Sequence, residues 1–252
     1  MEESIKSEVK KHYARIALTG NSDCCCMPCD CDPSTSVMGA AEKIGYDSAD
    51  LKSIPEGSVL GVGCGAPLKF AEIEKGETVV DLGSGAGIDV FLSANEVGEN
   101  GKVIGIDMTE EMLDRARRNA LENNYSNVEF RKGEIESDIP VESSTVDLVI
   151  SNCVINLTTD KAAAFKHVHR ILKPGGRMII SDLVTDREVS SASVSESRWC
   201  GCIDGALTRE NYLESIRKAG FGIVEVLEER PYVSEQSDGR NMTSVIVKAV
   251  KS

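Results

Sequence analysis

The segment that most limits what this chain can become runs from Thr78 to Asp107. A short apolar run ends at Asp81-Leu82 and turns through Gly83-Ser84-Gly85-Ala86-Gly87. A helical pattern follows over 87–97, and a second apolar run, Val103–Asp107, ends on an acid. Two parallel strands need a crossover connection, and a helix is the usual one. The same alternation then continues. A helix is expected over 109–124 with Thr109 as its N-cap, and strands at Val128–Arg131 and Val146–Ser151. A helix over 159–172 is stopped by Pro174-Gly175-Gly176, before a strand at Arg177–Leu183. A helix over 208–219 precedes final strands at Gly222–Glu228 and Ser244–Val250. The pattern predicts a doubly wound α/β fold, a mostly parallel seven-stranded sheet with helices on both faces. The last two strands, joined by residues 229–243 without a helical pattern, are expected to pair as an antiparallel hairpin at one edge.

Ahead of this unit the pattern is different. Residues 3–18 read as an amphipathic helix with Ile5, Val9, Tyr13, Ile16 and Ala17 on one side. Cys24, Cys25, Cys26, Cys29 and Cys31 follow, with Pro28 and Pro33 opposing regular structure. A short helix is expected over 35–44, then a Gly- and Pro-rich stretch, 45–67, that carries Cys64. The division predicted is an N-terminal helical, Cys-rich extension, 1–72, and a sheet domain, 73–252, with a variable loop region at 184–207. A net charge of −13 disfavours nucleic acid and anionic membranes as partners. No apolar run approaches the ~20 residues of a spanning helix. The first residues, MEESIKSEVKK, lack the apolar core of a signal peptide. A cytoplasmic protein is expected, with a monomer as the default.

In a doubly wound sheet, ligands sit beyond the carboxyl ends of the strands. That rule gathers the loops after Leu82, Asp107, Arg131, Ser151 and Leu183 around one site. Glycines let the first loop turn tightly and approach a ligand, and the helix after it aims free N–H groups at the site. Asp107 is placed to accept both ribose hydroxyls of a nucleoside. The dinucleotide spacing G-x-G-x-x-G fails, because Ile88 stands where its last Gly belongs. The spacing D-x-G-x-G-x-G, Asp81 to Gly87, resembles motif one of the S-adenosylmethionine-dependent methyltransferases, a Rossmann-like Class I fold. Val146–Ser151 and Leu172-Lys173-Pro174-Gly175-Gly176 also resemble that superfamily. The resemblance implies a cofactor site of Asp81, Gly83, Ser84, Gly85, Gly87, Asp107 and Met108. It further implies that Gly133, Ile135 and Glu136 flank the adenine, and that Asn152 lies beside the methyl donor. The ammonium of the cofactor would be accepted by Asp81 or a nearby carbonyl.

No general base announces itself. His12, His167 and His169 lack an orienting partner, and the last two do not share a helix face. Thiols stand out instead: nine cysteines, too many and too clustered for a static framework in a reducing compartment. Cys153 directly follows the fourth strand, Cys202 lies in the loop region after the fifth, and Cys64 precedes the sheet domain. Soft thiolates select thiophilic ions. Three of them without a fourth ligand suit a three-coordinate centre better than structural zinc.

Four segments then resemble the arsenite S-adenosylmethionine methyltransferases: GYDSADLKSIPEGSVLGVGCGAP, VVDLGSGAGIDVFLSA, SNCVINL and WCGCIDGAL. The resemblance covers roughly residues 40–220 and implies that Cys64, Cys153 and Cys202 are the arsenic(III) ligands. Arsenic held by three thiolates keeps a lone pair that attacks the sulfonium methyl in line, so no base is needed. It also implies arsenite or methylarsenite as substrate, and a thiol reductant, glutathione or thioredoxin, that reopens an enzyme disulfide. Cys24, Cys25 and Cys26 are candidates for that redox relay, with metalloid capture or no function as alternatives. Cys200 reads as a bystander beside Cys202. Trp199 either walls the site or packs locally, and Tyr46 lies over the cofactor or in the core. Ala66 stands where relatives often carry Asn, which puts hydrogen bonding of that loop in doubt. Many relatives carry a further C-terminal domain, so regulation or the extent of successive methylation is expected to differ. Two rival readings remain at this point: a methyltransferase for a small organic acceptor, and a metalloid-sequestering protein without transfer.

Overall fold

A computed structural model of the chain describes residues 2–20, 36–233 and 237–252. The five cysteines at 24–31 lie outside the described residues, so the relay expected of Cys24, Cys25 and Cys26 does too. The elements are α1 (Glu2–Thr19), α2 (Val37–Ile44), α3 (Ser48–Lys52), β1 (Thr78–Leu82), α4 (Ile88–Val97), β2 (Lys102–Asp107), α5 (Glu110–Glu122) and β3 (Val128–Lys132). They continue as β4 (Val146–Asn152), α6 (Lys161–Ile171), β5 (Leu172–Thr185), α7 (Glu196–Cys200), α8 (Arg209–Lys218), β6 (Phe221–Tyr232) and β7 (Met242–Lys251). Among the described residues no helix is long and apolar enough to cross a membrane.

The seven strands form one sheet in the order β3-β2-β1-β4-β5-β7-β6. β3, β2, β1, β4 and β5 pair in parallel, and β7 pairs antiparallel with both β5 and β6, closing the edge with the expected hairpin. Successive strand residues face opposite layers. Val80 and Leu82 of β1 join the core beneath α6 and α8, while Val79 joins the core beneath α4 and α5. Residues of the N-terminal extension contribute to the second layer: Ile44, Tyr46, Leu51 and Ile54 share a core with the sheet. Between α6 and β5 the turn expected at Pro174-Gly175-Gly176 is not where the helix stops. The helix ends at Ile171, Leu172 already pairs with Val146, and the three residues form an irregularity before Arg177 pairs with Leu148.

Strand order reverses between β1 and β4, and both end toward the same rim. Backbone N–H groups after β1 and the last residues of β4 therefore border one crevice, which is where such sheets bind ligands.

Candidate functional site

A cleft opens at that rim. Its wall includes Gly83 and Gly85 from the glycine turn, Asp107 and Met108 from the end of β2, Gly133, Ile135 and Glu136 after β3, and Asn152 and Cys153 after β4. Gly83 has φ +68, and a Cβ there would meet Val154 Cγ2 at 2.4 Å, so the turn and the loop after β4 approach as closely as only glycine permits. Asp107 is fixed by two backbone donors, Gly85 N–H at 2.9 Å and Thr109 N–H at 2.8 Å. Burial raises its carboxyl above the ordinary value, against those hydrogen bonds. Apolar lining at Ile106 and Ile135 and a fixed acid suit a nucleoside.

Three of the expected cofactor residues are elsewhere. Asp81, Ser84 and Gly87 are not on the wall. Asp81 is buried beneath it, and burial with the charges of Asp89 and Asp107 raises its carboxyl well above the usual range. Glu136 lines the cleft, but its carboxylate accepts from Thr159 N–H and Asp160 N–H, both at 2.7 Å, and pairs with Lys6 at 2.5 Å. Lys6 and Tyr13 of α1 complete the wall, as does Met112 of α5. Sequence reasoning assigned α1 no part in the site. Its Lys6, on a helix otherwise read for its apolar stripe, gave no local signal.

The thiols meet at the inner end of this cleft. Cys153 has φ +59 and its N–H donates to Ser181 O on β5 at 2.8 Å. Cys202 has φ +62, and its thiol donates to Cys153 O at 2.9 Å. Left-handed backbone is rare for residues with a side chain and gathers at functional sites. Cys64 N–H donates to Asn152 Oδ1 at 3.1 Å, and Ser244 Oγ donates to Cys64 O at 2.7 Å. Cys64 Sγ, Cys153 Sγ and a carboxylate oxygen of Asp182 lie within 4.8 Å of one another. Cys64, Cys202, Leu183, Ile203 and Tyr232 form an apolar cluster against which Cys153 packs. Hydrogen bonding to Cys202 and Cys64, and then burial, push the Cys153 thiol well above its ordinary value. For Cys202 the hydrogen bond to Cys153 pulls downward, but burial and the charges of Asp182 and Cys64 prevail and raise it. Asp182 was not among the residues singled out from sequence, although it lies in the C-terminal part of the fifth strand, close to where the strand-end rule points. Burial pushes its carboxyl up to about 7, against the Tyr212 hydrogen bond and the Lys161 charge.

Two supports hold the cradle. Asn152 Nδ2 donates to Tyr46 Oη at 2.9 Å and to Gly65 O at 2.6 Å, so one amide ties the Cys64 loop to β4. Gly63, φ +126, brings its loop so near that a Cβ would lie 3.0 Å from Asn152 Nδ2. Tyr46 is therefore in the core, not over the cleft. Its hydroxyl donates to Asp89, 2.8 and 2.9 Å from the two carboxylate oxygens. The Cys202 turn is clamped by buried Asp204, which accepts from Ser195 N–H, Arg198 and Arg240, while Arg240 also donates to Ile203 O. Cys200 faces away, buried with Ile5 and Val9 of α1. Trp199 packs in that same cluster, and its Nε1–H donates to Leu157 O at 3.0 Å. No histidine among the described residues lines the cleft.

Comparison with known proteins places this architecture. The methyltransferase domain family matches residues 73–220. The arsenite methyltransferase of Halobacterium salinarum is 41% identical over 258 residues, covering 98% of this chain and 66% of the relative. That of Mus musculus is 33% identical over 230 residues, covering 87% of this chain and 58% of the relative. The chain thus spans less than two thirds of the length of these relatives. The crystal structure of an arsenic(III) S-adenosylmethionine methyltransferase from Chlamydomonas reinhardtii is 33% identical and superposes with a TM-score of 0.68, covering 86% of this chain and 74% of that one. A matching domain, a superposing structure and 41% identity along 98% of the chain converge, and the chain belongs to the arsenite methyltransferase family of methyltransferase-domain proteins.

Proposed function

We propose that the protein transfers a methyl group from S-adenosylmethionine to arsenic(III) held by Cys64, Cys153 and Cys202, giving methylated arsenicals in arsenic detoxification. The observation that carries this reading is the gathering of three thiols, from positions 64 to 202, where Cys153 lines the inner end of the cleft. The cofactor supplies an electrophilic sulfonium methyl. Asp107 receives the ribose hydroxyls, Met108, Gly133, Ile135 and Glu136 border the adenine, and Asn152 stands where cleft and cradle join. With Asp81 under the wall, backbone carbonyls of the Gly83–Gly87 turn are the acceptors open to the ammonium. The raised thiols enter protonated. Arsenite, As(OH)₃, exchanges three hydroxides for three sulfurs, and each thiol proton leaves with a hydroxide as water. The arsenic lone pair stays free for the methyl, and the apolar cluster excludes water. Methylated pentavalent arsenic returns to the trivalent state with two electrons from a thiol pair that closes a disulfide. Glutathione or thioredoxin then reopens it. Methylarsenite is a substrate for the next round.

The test is arsenic speciation after the reduced protein is incubated with arsenite, S-adenosylmethionine and excess thiol. Cys64→Ser, Cys153→Ser and Cys202→Ser are run beside the wild type. Methylated arsenic from the wild type alone is expected. None from any form, with cofactor binding intact, would turn the reading to an organic acceptor. Tight arsenite binding without cofactor binding would turn it to sequestration.

A further inference from the structure

The reaction as described leaves one buried ionisable group of the cradle unused. Asp182, on β5, is 1% exposed. Its Oδ2 accepts from Tyr212 Oη at 3.0 Å, and the backbone N–H groups of Leu183 and Asn156 also act on the carboxylate. Burying a carboxylate costs folding free energy even when it is hydrogen-bonded, so its retention calls for a use. One oxygen of this carboxylate lies within 4.8 Å of both Cys64 Sγ and Cys153 Sγ. Arsenic bonded to both sulfurs therefore lies beside this carboxylate. The buried Lys161 is the cation nearby, but its ammonium donates to Thr158 O at 3.1 Å and lies 5.5 Å from the centre of the Trp199 ring.

We propose that Asp182 is the counter-ion of the methyl-transfer step, its carboxylate stabilising the positive charge that arsenic acquires as the methyl arrives. The inference rests on the arsenite reading above. Arsenic(III) with three thiolates is neutral. Its lone pair forms the As–C bond while the methyl C–S bond breaks and that electron pair stays on sulfur. Positive charge leaves sulfur and appears on arsenic, which passes from the trivalent to the pentavalent level, and no proton moves. In its ionised form this carboxylate, beside two thiols that pack with Leu183, Ile203 and Tyr232, acts at low dielectric and needs no reorganisation as the charge develops. A hard carboxylate adds little to binding of the soft, neutral arsenic(III). Its effect therefore falls on turnover and not on substrate affinity.

Asp182→Asn keeps the shape and an acceptor for Tyr212 while removing the charge. Two quantities decide: the arsenite Kd, read from fluorescence of Trp199, the sole tryptophan, and the single-turnover rate of methylation with both substrates saturating. The expected result is an arsenite Kd within about 3-fold of wild type and a rate at least about 100-fold lower. An unchanged rate overturns the proposal. So does a Kd that weakens in step with the rate, since Asp182 would then build the cradle instead of answering arsenic's charge. If Asp182→Asn does not fold, Asp182→Ser is measured the same way. A wild type that makes no methylarsenical defeats the arsenite reading itself, a different failure from a wild type and variant that methylate equally fast.

Discussion

The cleft and the thiol cradle touch at Asn152 and Cys153, yet they are built in opposite ways. The cleft wall at Gly83, Gly85 and Asp107 comes from one strand–turn–helix–strand unit, and its hydrogen bonds stay inside that unit: Gly83 and Ser84 N–H donate to Ile106 O, and Gly85 N–H to Asp107. The cradle draws Cys64, Cys153, Asp182 and Cys202 from four separate segments. Each is held by a long-range contact, Ser244 to Cys64 O, Cys153 N–H to Ser181 O, Tyr212 to Asp182 and Arg240 to the Asp204 beside Cys202. A nucleoside site is thus a property of a local motif, and the acceptor site is a property of the tertiary structure. Damage to one should spare the other, except where they share a residue.

The hardest blow to the cradle is Arg240→Met. It leaves buried Asp204 with Arg198 as its one remaining cationic partner and frees Ile203 O. Removing one member of a buried pair costs about 3–5 kcal/mol, which in a chain of this size lowers Tm by about 10 °C. Below the transition, arsenite affinity should fall while cofactor affinity, read by calorimetry, holds. Equal losses of both would show that the two sites are one cooperative unit. The converse variant is Asp107→Ala. It removes an acid that anchors Gly85 and Thr109 and is proposed to hold the ribose. Losing charge-assisted hydrogen bonds of about 3 kcal/mol weakens cofactor binding about 100-fold, and the same titration with arsenite should show no change.

How much of this could be read beforehand follows the same division. The glycine turn, Asp107 and all seven strands were legible, because spacing, periodicity and strand-end geometry are local. Strand positions brought Cys153 and Cys202 to one rim, and resemblance of whole segments gave them and Cys64 the role of arsenic ligands; nothing in the residues around Cys64 says that Ser244 will hold it. Asp182 was missed because a lone acid late in an apolar strand looks solvated until β7 pairs alongside it at Val245 and the fold buries it. The ambiguity of Tyr46 is resolved by Asp89, a partner that sequence separates from it by a turn, a loop and a strand. The Pro174-Gly175-Gly176 stop was misplaced because pairing of Leu172 with Val146 begins the strand before the turn residues are reached.

Asn152 is where the comparison should fail. Its side chain accepts from Cys64 N–H and donates to Tyr46 and Gly65 O, while it also lines the cleft. Asn152→Ala removes these bonds, each worth about 1 kcal/mol. Arsenite and cofactor Kd should both rise, by about tenfold. A change in one Kd alone would assign Asn152 to that site and leave the two regions energetically separate.

The smallest effect lies beneath both sites. Asp89 is buried at the start of α4, and burial pushes its carboxyl up to about 7, against hydrogen bonds from Tyr46 and Asn152. A carboxyl raised on folding binds a proton that the unfolded chain has already released. Stability therefore falls as pH rises through the window from the ordinary 3.8 to about 7. Asp182 is raised over the same window, so the trend of the wild type alone assigns nothing to either acid. The difference between wild type and Asp89→Asn reports Asp89 together with its charge coupling to Asp81, since the amide keeps an acceptor for Tyr46 and carries no charge at either end of the range. In scans of the ligand-free protein, the Tm of Asp89→Asn relative to wild type should rise by about 5 °C between pH 5 and pH 8. A difference that stays flat across the range would mean that Asp89 is ionised throughout, held by the hydroxyl and amide that also support the Cys64 loop.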